Sequence, residues 1–268
     1  MSIELTFLGT GTSVGVPMIG CHCLVCSSAN PRNTRRRSSL YVRTEECAFV
    51  IDTPPDFRQQ MLDFEIERLD AVVFTHAHAD HIFGFDDIRR FNTLGGKVMP
   101  AYGDAETLAD VRRVFSYIGN QPSAVGLYRP LVDFVVVDDA FRIGDVRLTP
   151  LDVEHGCRTT GYLMESGASR VGYVPDCHSM PDAVVERLKG VDVMILDALR
   201  YRPHPSHLCV AESLALLERI GAGTSYLTHL CHDVEHDGLE ATLPPEVRVG
   251  FDGLKVCLDD GTVSKGIA

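Results

Sequence analysis

Short apolar runs closed by glycine, proline, threonine or aspartate recur along the chain, and most have the length and the β-branched content of strands. In the first half they are IELTFLG at 3–9, SSLYVRT at 38–44, CAFVIDT at 47–53, AVVFT at 71–75 and FVVV at 134–137. The second half adds VRLTPLDV, GYLMES, RVGYVPD, VDVMILDAL and SYLTHL. Helical spacing of apolar positions occurs in PDFRQQMLDFEIERL, DAETLADVRRVFSYIG, PDAVVERLKG and CVAESLALLERIGA. Strands fall in adjacent groups in both halves, with helices interspersed and no strict alternation. This predicts an α/β (α+β) fold in which two mixed sheets are flanked by helices, an αββα sandwich. No low-complexity linker or internal repeat divides the chain, so residues 1–268 are expected to form one domain.

Composition narrows the function classes. The 268 residues are 45% hydrophobic, enough to bury a full core. No run of eighteen apolar residues occurs, and MSIELTFLGTGT lacks the basic start, apolar stretch and cleavage site of a secretory leader, so a cytoplasmic protein with no membrane partner is expected. The net charge of -12 argues against a general polynucleotide binder, although a small anionic substrate remains compatible with a locally positive site. Nothing in the sequence excludes a homodimer. Nine cysteines is an odd count for a disulfide framework. Three of them sit in GCHCLVC at 20–26, a spacing that suits metal thiolates in a reducing compartment.

The densest chemistry follows the apolar run AVVF, in FTHAHADH at 74–81. Residues two apart in extended backbone project to one side, so His76 and His78 can reach one metal. Asp80 and His81 turn away where HIFGFDDIRRFN begins a helix, and can serve a second metal a few ångströms off. Borderline metals take imidazole and carboxylate ligands of this kind. At the other cluster a tetrahedral zinc site needs four ligands, so Cys21, Cys23 and Cys26 require one more.

H-x-H-x-D-H after a hydrophobic strand resembles the signature of the metallo-β-lactamase superfamily, whose fold is the αββα sandwich. The resemblance implies a binuclear site at the edge between the sheets, completed by His155 in LDVEHG, Asp176 in VGYVPD and His229 in SYLTHL. It assigns His76, His78 and His155 to one metal, Asp80, His81 and His229 to the other, and Asp176 to the bridge between them. His178 is the nearest rival ligand. Asp52, which ends FVIDT, matches an early aspartate that orients ligands without binding metal. Within the superfamily the chain is similar to PhnP-type cyclic phosphodiesterases, in GTGTSVGVPMIGCHCLVC, RRRSS, THAHADH, DVEHG and THLCH. That similarity implies a structural zinc held by Cys21, Cys23, Cys26 and His232, in a zinc-binding loop at about 18–37. His22 is the weaker alternative for the fourth ligand. The cofactors implied are two divalent ions, zinc or manganese, and one structural zinc.

Paired metals activate a water as hydroxide and polarise the scissile group in esters, lactams, lactones, thioesters and phosphodiesters alike, so the substrate has to be read elsewhere. The PhnP-type resemblance implies hydrolysis of small, cyclic phosphodiesters such as ribose cyclic phosphates or nucleotide derivatives. It places a leaving-group acid at His207 in RPHPSHL, with His204 as the rival position, and Asp80 among the catalytic ligands. The basic run Arg32, Arg35, Arg36 and Arg37 is a candidate phosphate-binding edge. Cys47, Cys157, Cys177, Cys209, Cys231 and Cys257 are read as buried small hydrophobes. The alternatives are a ribonuclease Z-like nuclease, although no long basic arm is found, a lactonase or thioesterase, and a non-catalytic protein of pyrroloquinoline quinone biosynthesis. The intact HAHADH speaks against the last.

Overall fold

The structure, a computed structural model, describes residues 2–119, 128–259 and 261–266. Its first-half strands are β1 (Ser2–Gly9), β2 (Ser39–Arg43), β3 (Ala48–Ile51), β4 (Ala71–Val73), β5 (Met99–Gly103), β6 (Val132–Val136) and β7 (Phe141–Ile143). The second half contributes β8 (Val146–Glu154), β9 (Arg158–Ser166), β10 (Ser169–Val174), β11 (Val193–Asp197), β12 (Thr224–Thr228), β13 (Val247–Val249), β14 (Lys255–Asp259) and β15 (Thr262–Gly266). Helices α1 (Phe57–Asp63), α2 (Ala79–Ile82), α3 (Arg89–Gly95) and α4 (Ala105–Val114) lie in the first half, and α5 (Asp182–Leu188), α6 (Val210–Ile220) and α7 (His236–Glu240) in the second. One sheet runs β15-β14-β1-β2-β3-β4-β5-β6 and the other β13-β12-β11-β10-β9-β8-β7.

The period-2 geometry of a strand explains why so many of these runs are apolar throughout. On β3, Phe49 and Ile51 enter a core shared with Val193 and Ile195 of β11, whereas Ala48 and Val50 face the layer that holds Phe57 of α1 and Leu108 of α4. On β11 the alternate residues Met194 and Leu196 join Val185 of α5 and Leu217 of α6 in a third core. Each central strand is thus apolar on both faces, one toward the opposite sheet and one toward its helices. This gives the four layers that the apolar pattern predicts. Among the described residues no helix is long and apolar enough to cross a membrane.

Both sheets contain a parallel block, β3-β4-β5-β6 in one and β10-β11-β12-β13 in the other. Parallel strands present their carboxyl ends at one edge, and ligand-binding loops gather there. Asp197 ends a strand of these blocks, Asp52 and His229 directly follow one, and His76 and Asp176 lie within three residues of a strand's end.

Local chemistry changes several expected boundaries. The helix expected over 55–69 stops at Asp63, because Glu65 adopts φ 52° and breaks the helical path before Ile66. The segment after His81 forms α2, a 3-10 turn at Phe85–Ile88 and α3 instead of one continuous helix. Gly84 sits at that break, where a Cβ would fall 2.1 Å from the Pro54 carbonyl oxygen and 2.6 Å from Phe57 Cβ. Gly84→Ala is therefore expected to destabilise the fold by about 1–3 kcal/mol, read as a lower urea midpoint. An unchanged midpoint would mean that the turn after α2 yields freely.

Candidate metal centre

The hydrogen bonds of β4 explain how the HAHADH segment is held. Asp52 follows β3 at φ 65°, buried, and accepts from the Thr75 backbone N–H at 2.8 Å and the Thr75 hydroxyl at 2.7 Å. Its Oδ2 also lies 2.7 Å from His81 Nδ1. Nδ1 of His76 lies 2.9 Å from Thr75 Oγ1, and Nδ1 of His155 lies 2.7 Å from the Ser206 carbonyl oxygen. Each of these rings is thus fixed through Nδ1 and turns Nε2 inward, the arrangement in which a histidine is oriented through its other nitrogen.

Around Asp176 the inward nitrogens converge. Its Oδ2 lies 3.4 Å from His155 Nε2, 3.4 Å from His229 Nε2 and 3.9 Å from His76 Nε2, and its Oδ1 lies 3.4 Å from His81 Nε2. Asp80 Oδ2 lies 3.5 Å from His81 Nε2 and 3.9 Å from His229 Nε2, while His78 Nδ1 is 2.9 Å from His76 Nε2. A tetrahedral ion with bonds of about 2.0–2.1 Å separates its donors by about 3.4 Å, so these spacings fit metal coordination. His81 Nε2, His229 Nε2 and Asp176 Oδ1 are buried and make no hydrogen bond, an expensive arrangement for groups that no cation is to engage.

Charge follows the same geometry. Burial opposes protonation of His229, but Asp176, Asp80 and Asp197 outweigh it and raise the imidazole to about 9. His81 is likewise raised, by Asp176 and Asp52 against the cost of burial. Burial holds His155 down at about 4. A dication requires neutral imidazoles, so ions held by His81 and His229 would have to displace protons that the neighbouring carboxylates favour on these rings.

Two residues flank the donors on the α6 side. Asp197, the last residue of β11, is fully buried and lies 2.8 Å from His207 Nδ1 through its Oδ2. The His207 ring is 4.5 Å from that of His155 and stacks on His229 at 4.6 Å. Burial and the neighbouring His229 push His207 down to about 4. Asp197 was not among the residues expected from the sequence. Its signal is present in VDVMILD, an apolar run closed by aspartate in the way that FVID is closed by Asp52. His204 lies further out, its ring 5.2 Å from His207, and His178 is exposed.

The cysteine cluster also assembles. Sulfurs of Cys21, Cys23 and Cys26 and a nitrogen of His232 lie within 4.8 Å of one another, with His232 Nδ1 3.3 Å from Cys21 Sγ and 3.5 Å from Cys23 Sγ. His22 faces solvent. The Cys26 backbone N–H and the His232 side chain lower the Cys23 thiol to about 6, whereas burial raises Cys26 to about 11. A dication held by these four residues would offset that penalty by stabilising the thiolates together.

The arginines depart from expectation. Arg35 is 1% exposed and donates from Nη1 to the Cys231 carbonyl at 3.0 Å and the Val234 carbonyl at 2.9 Å, which leaves its guanidinium no face for a phosphate. Arg36 pairs with Asp63, and Arg37 with Asp56 at 3.0 Å. Arg32 lies over Phe251, 5.0 Å from the ring centroid. Arg35 therefore braces a loop and cannot join the expected phosphate edge, while Arg36 and Arg37 are already paired to carboxylates. Among the remaining cysteines Cys47, Cys177, Cys209 and Cys231 are buried as expected, Cys257 is partly exposed, and Cys157 is exposed.

Comparison with known proteins places this geometry. Residues 48–230 match the family model of the β-lactamase superfamily domain. The crystal structure of a diphosphatase from the PhnP family superposes with a TM-score of 0.87 at 38% identity, covering 96% of this chain and 98% of that one. An octanoyltransferase of Porphyromonas gingivalis is 34% identical over 259 residues, 94% of this chain but 51% of the relative, so the chain spans about half of that protein's length. A coenzyme PQQ synthesis protein B of Methylobacterium radiotolerans is 28% identical over 223 residues, 73% of this chain and 72% of the relative.

The two donor clusters are expected to separate on mutation. Cys21→Ser should lower bound zinc and thermal stability together, because metal binding at a closed site is folding free energy. Asp80→Ala should leave the thiolate-bound zinc in place and remove metal only from the histidine cluster. Full metal content and a normal melt in Cys21→Ser would contradict a structural role for the cysteine loop.

Proposed function

Because the chain belongs to the metallo-β-lactamase superfamily, as a PhnP-like metal-dependent hydrolase, we propose that it cleaves small phosphodiesters whose leaving group takes a proton from His207. The substrates in view are cyclic ribose or nucleotide phosphates and the bridges of disubstituted diphosphates, in which the attacked phosphorus likewise carries two bridging oxygens and one negative charge. His76, His78 and His155 would hold one divalent ion, zinc or manganese, and Asp80, His81 and His229 the second, with Asp176 between them. When bound, such a pair supplies a water of lowered pKa and neutralises charge that develops on the phosphoryl oxygens.

One observation carries the reading. An imidazole paired to a buried carboxylate, His207 with Asp197 at 2.8 Å, stands beside the ring planes of His155 and His229 and is not needed for generic hydrolysis at the ligand set. Asp197 fixes the Nδ1 side of the ring, so Nε2 is the nitrogen left to face a substrate. An anionic phosphoryl group would add negative charge near the ring and work against the burial and the His229 charge that lower its pKa. An alkoxide leaves phosphorus poorly without a proton. The chain's match to half of an octanoyltransferase supplies no comparable geometric reason for acyl transfer.

Metal-loaded protein is expected to hydrolyse bis(p-nitrophenyl) phosphate and at least one of ribose 1,2-cyclic phosphate, 2',3'-cyclic nucleotides, 3',5'-cyclic nucleotides and a disubstituted diphosphate, with phosphomonoesters and lactones nearly untouched. His207→Ala should slow substrates with poor leaving groups by roughly 10²- to 10⁴-fold and change the nitrophenyl ester little, at unchanged metal content. Comparable turnover of lactones would overturn the substrate class. Equal losses on both kinds of ester would remove the acid role, and loss of metal would make His207 a ligand.

A further inference from the structure

The β8–β9 hairpin brings a thiol to the metal donors. Glu154 and Arg158 are its last paired residues, so His155, Gly156 and Cys157 alone make the turn. Gly156 adopts φ 102°, which only glycine takes at low cost, and the reversal there carries His155 and Cys157 to the same cluster. The Cys157 sulfur and one ring nitrogen each of His76 and His78 lie within 4.8 Å of one another. Among the cysteines outside the zinc loop Cys157 is the exposed one, and its side chain meets Thr159 Oγ1 at 3.5 Å. The His76 and His78 nitrogens face each other at 2.9 Å, one on a buried ring and one on an exposed ring.

We propose that Cys157 supplies a sulfur ligand to the ion held by His76 and His78, and that it biases this position toward zinc over manganese. The inference rests on the metal reading above. Bonds of about 2.0–2.1 Å to nitrogen and 2.3 Å to sulfur set the N···S separation near 3.6 Å, so the sulfur needs to move by on the order of 1 Å at most, within reach of a side-chain rotation. On ligation the S–H bond breaks, its proton passes to solvent and the sulfur lone pair forms the bond to the cation, with no change of oxidation state. Thiolate is a soft ligand that manganese accepts poorly, whereas a purely imidazole and carboxylate set discriminates little between the two ions. The sulfur thereby gives the site a preference that the histidines and aspartates lack.

Cobalt substitution of the full chain tests this, because thiolate ligation produces a near-ultraviolet charge-transfer band. The zinc loop contributes equally in wild type and Cys157→Ser, so the difference isolates Cys157. Wild type is expected to show extra band intensity per cobalt that Cys157→Ser lacks at the same cobalt content, and the variant's zinc-to-manganese affinity ratio should fall roughly tenfold. In wild-type protein alone, zinc loading should slow iodoacetamide alkylation of Cys157, followed by peptide mass, by roughly tenfold. Identical bands and unchanged alkylation would overturn the sulfur ligand and leave the metal reading standing. No cobalt beyond the zinc loop's complement in either protein would overturn both.

Discussion

The buried carboxylate of Asp176 is the constraint on which the rest of the site depends. A carboxylate removed from water costs several kcal/mol unless positive charge or hydrogen bonds meet it. Here four imidazole nitrogens meet it, from His76 and His81 in one sheet's loops and from His155 and His229 in the other's. The parallel blocks present the strand ends that lead to His76, His81, Asp176 and His229 at one edge, and the turn of the antiparallel β8–β9 hairpin adds His155 there. Two of the contributing strand ends take left-handed backbone, Asp52 at φ 65° and His229 at φ 58°, a conformation that surrounding structure has to sustain. The apolar core between the sheets is the rigid support against which that strain is held.

The zinc loop is connected to this constraint through the chain that follows β12. His229 is three residues from His232, and the intervening turn is tied down by Arg35, whose Nη1 is bonded to the Cys231 and Val234 carbonyls. Asp252 adds a second tie by accepting from Thr10 N–H at 2.9 Å, Thr10 hydroxyl at 2.8 Å and Arg36 N–H at 2.7 Å. The cysteine cluster and the histidine cluster therefore share one loop, through His229 and His232.

How much of this was legible depends on distance along the chain. HAHADH was readable as a donor cluster because its three histidines and one aspartate lie within six residues, and the structure brings their side chains together. The central strands were readable because both their faces are apolar. Strands β5, β7, β13, β14 and β15 were missed: they are three to five residues long, too short to show a period of their own, so pairing to neighbours defines them. Asp197 was missed for a related reason, since its partner His207 is identified only when β11 and the loop before α6 meet in space. Arg35 was misplaced on a phosphate edge because composition reports charge but not burial or partners, and the carbonyls it donates to lie 196 and 199 residues away.

Metal analysis of folded wild-type protein and Asp176→Ala after equilibrium dialysis against zinc tests the central claim most directly. If one carboxylate organises the centre, the variant retains the zinc held by the cysteine loop and loses metal from the histidine cluster at both positions. Retention of the full wild-type complement by folded Asp176→Ala would contradict the account.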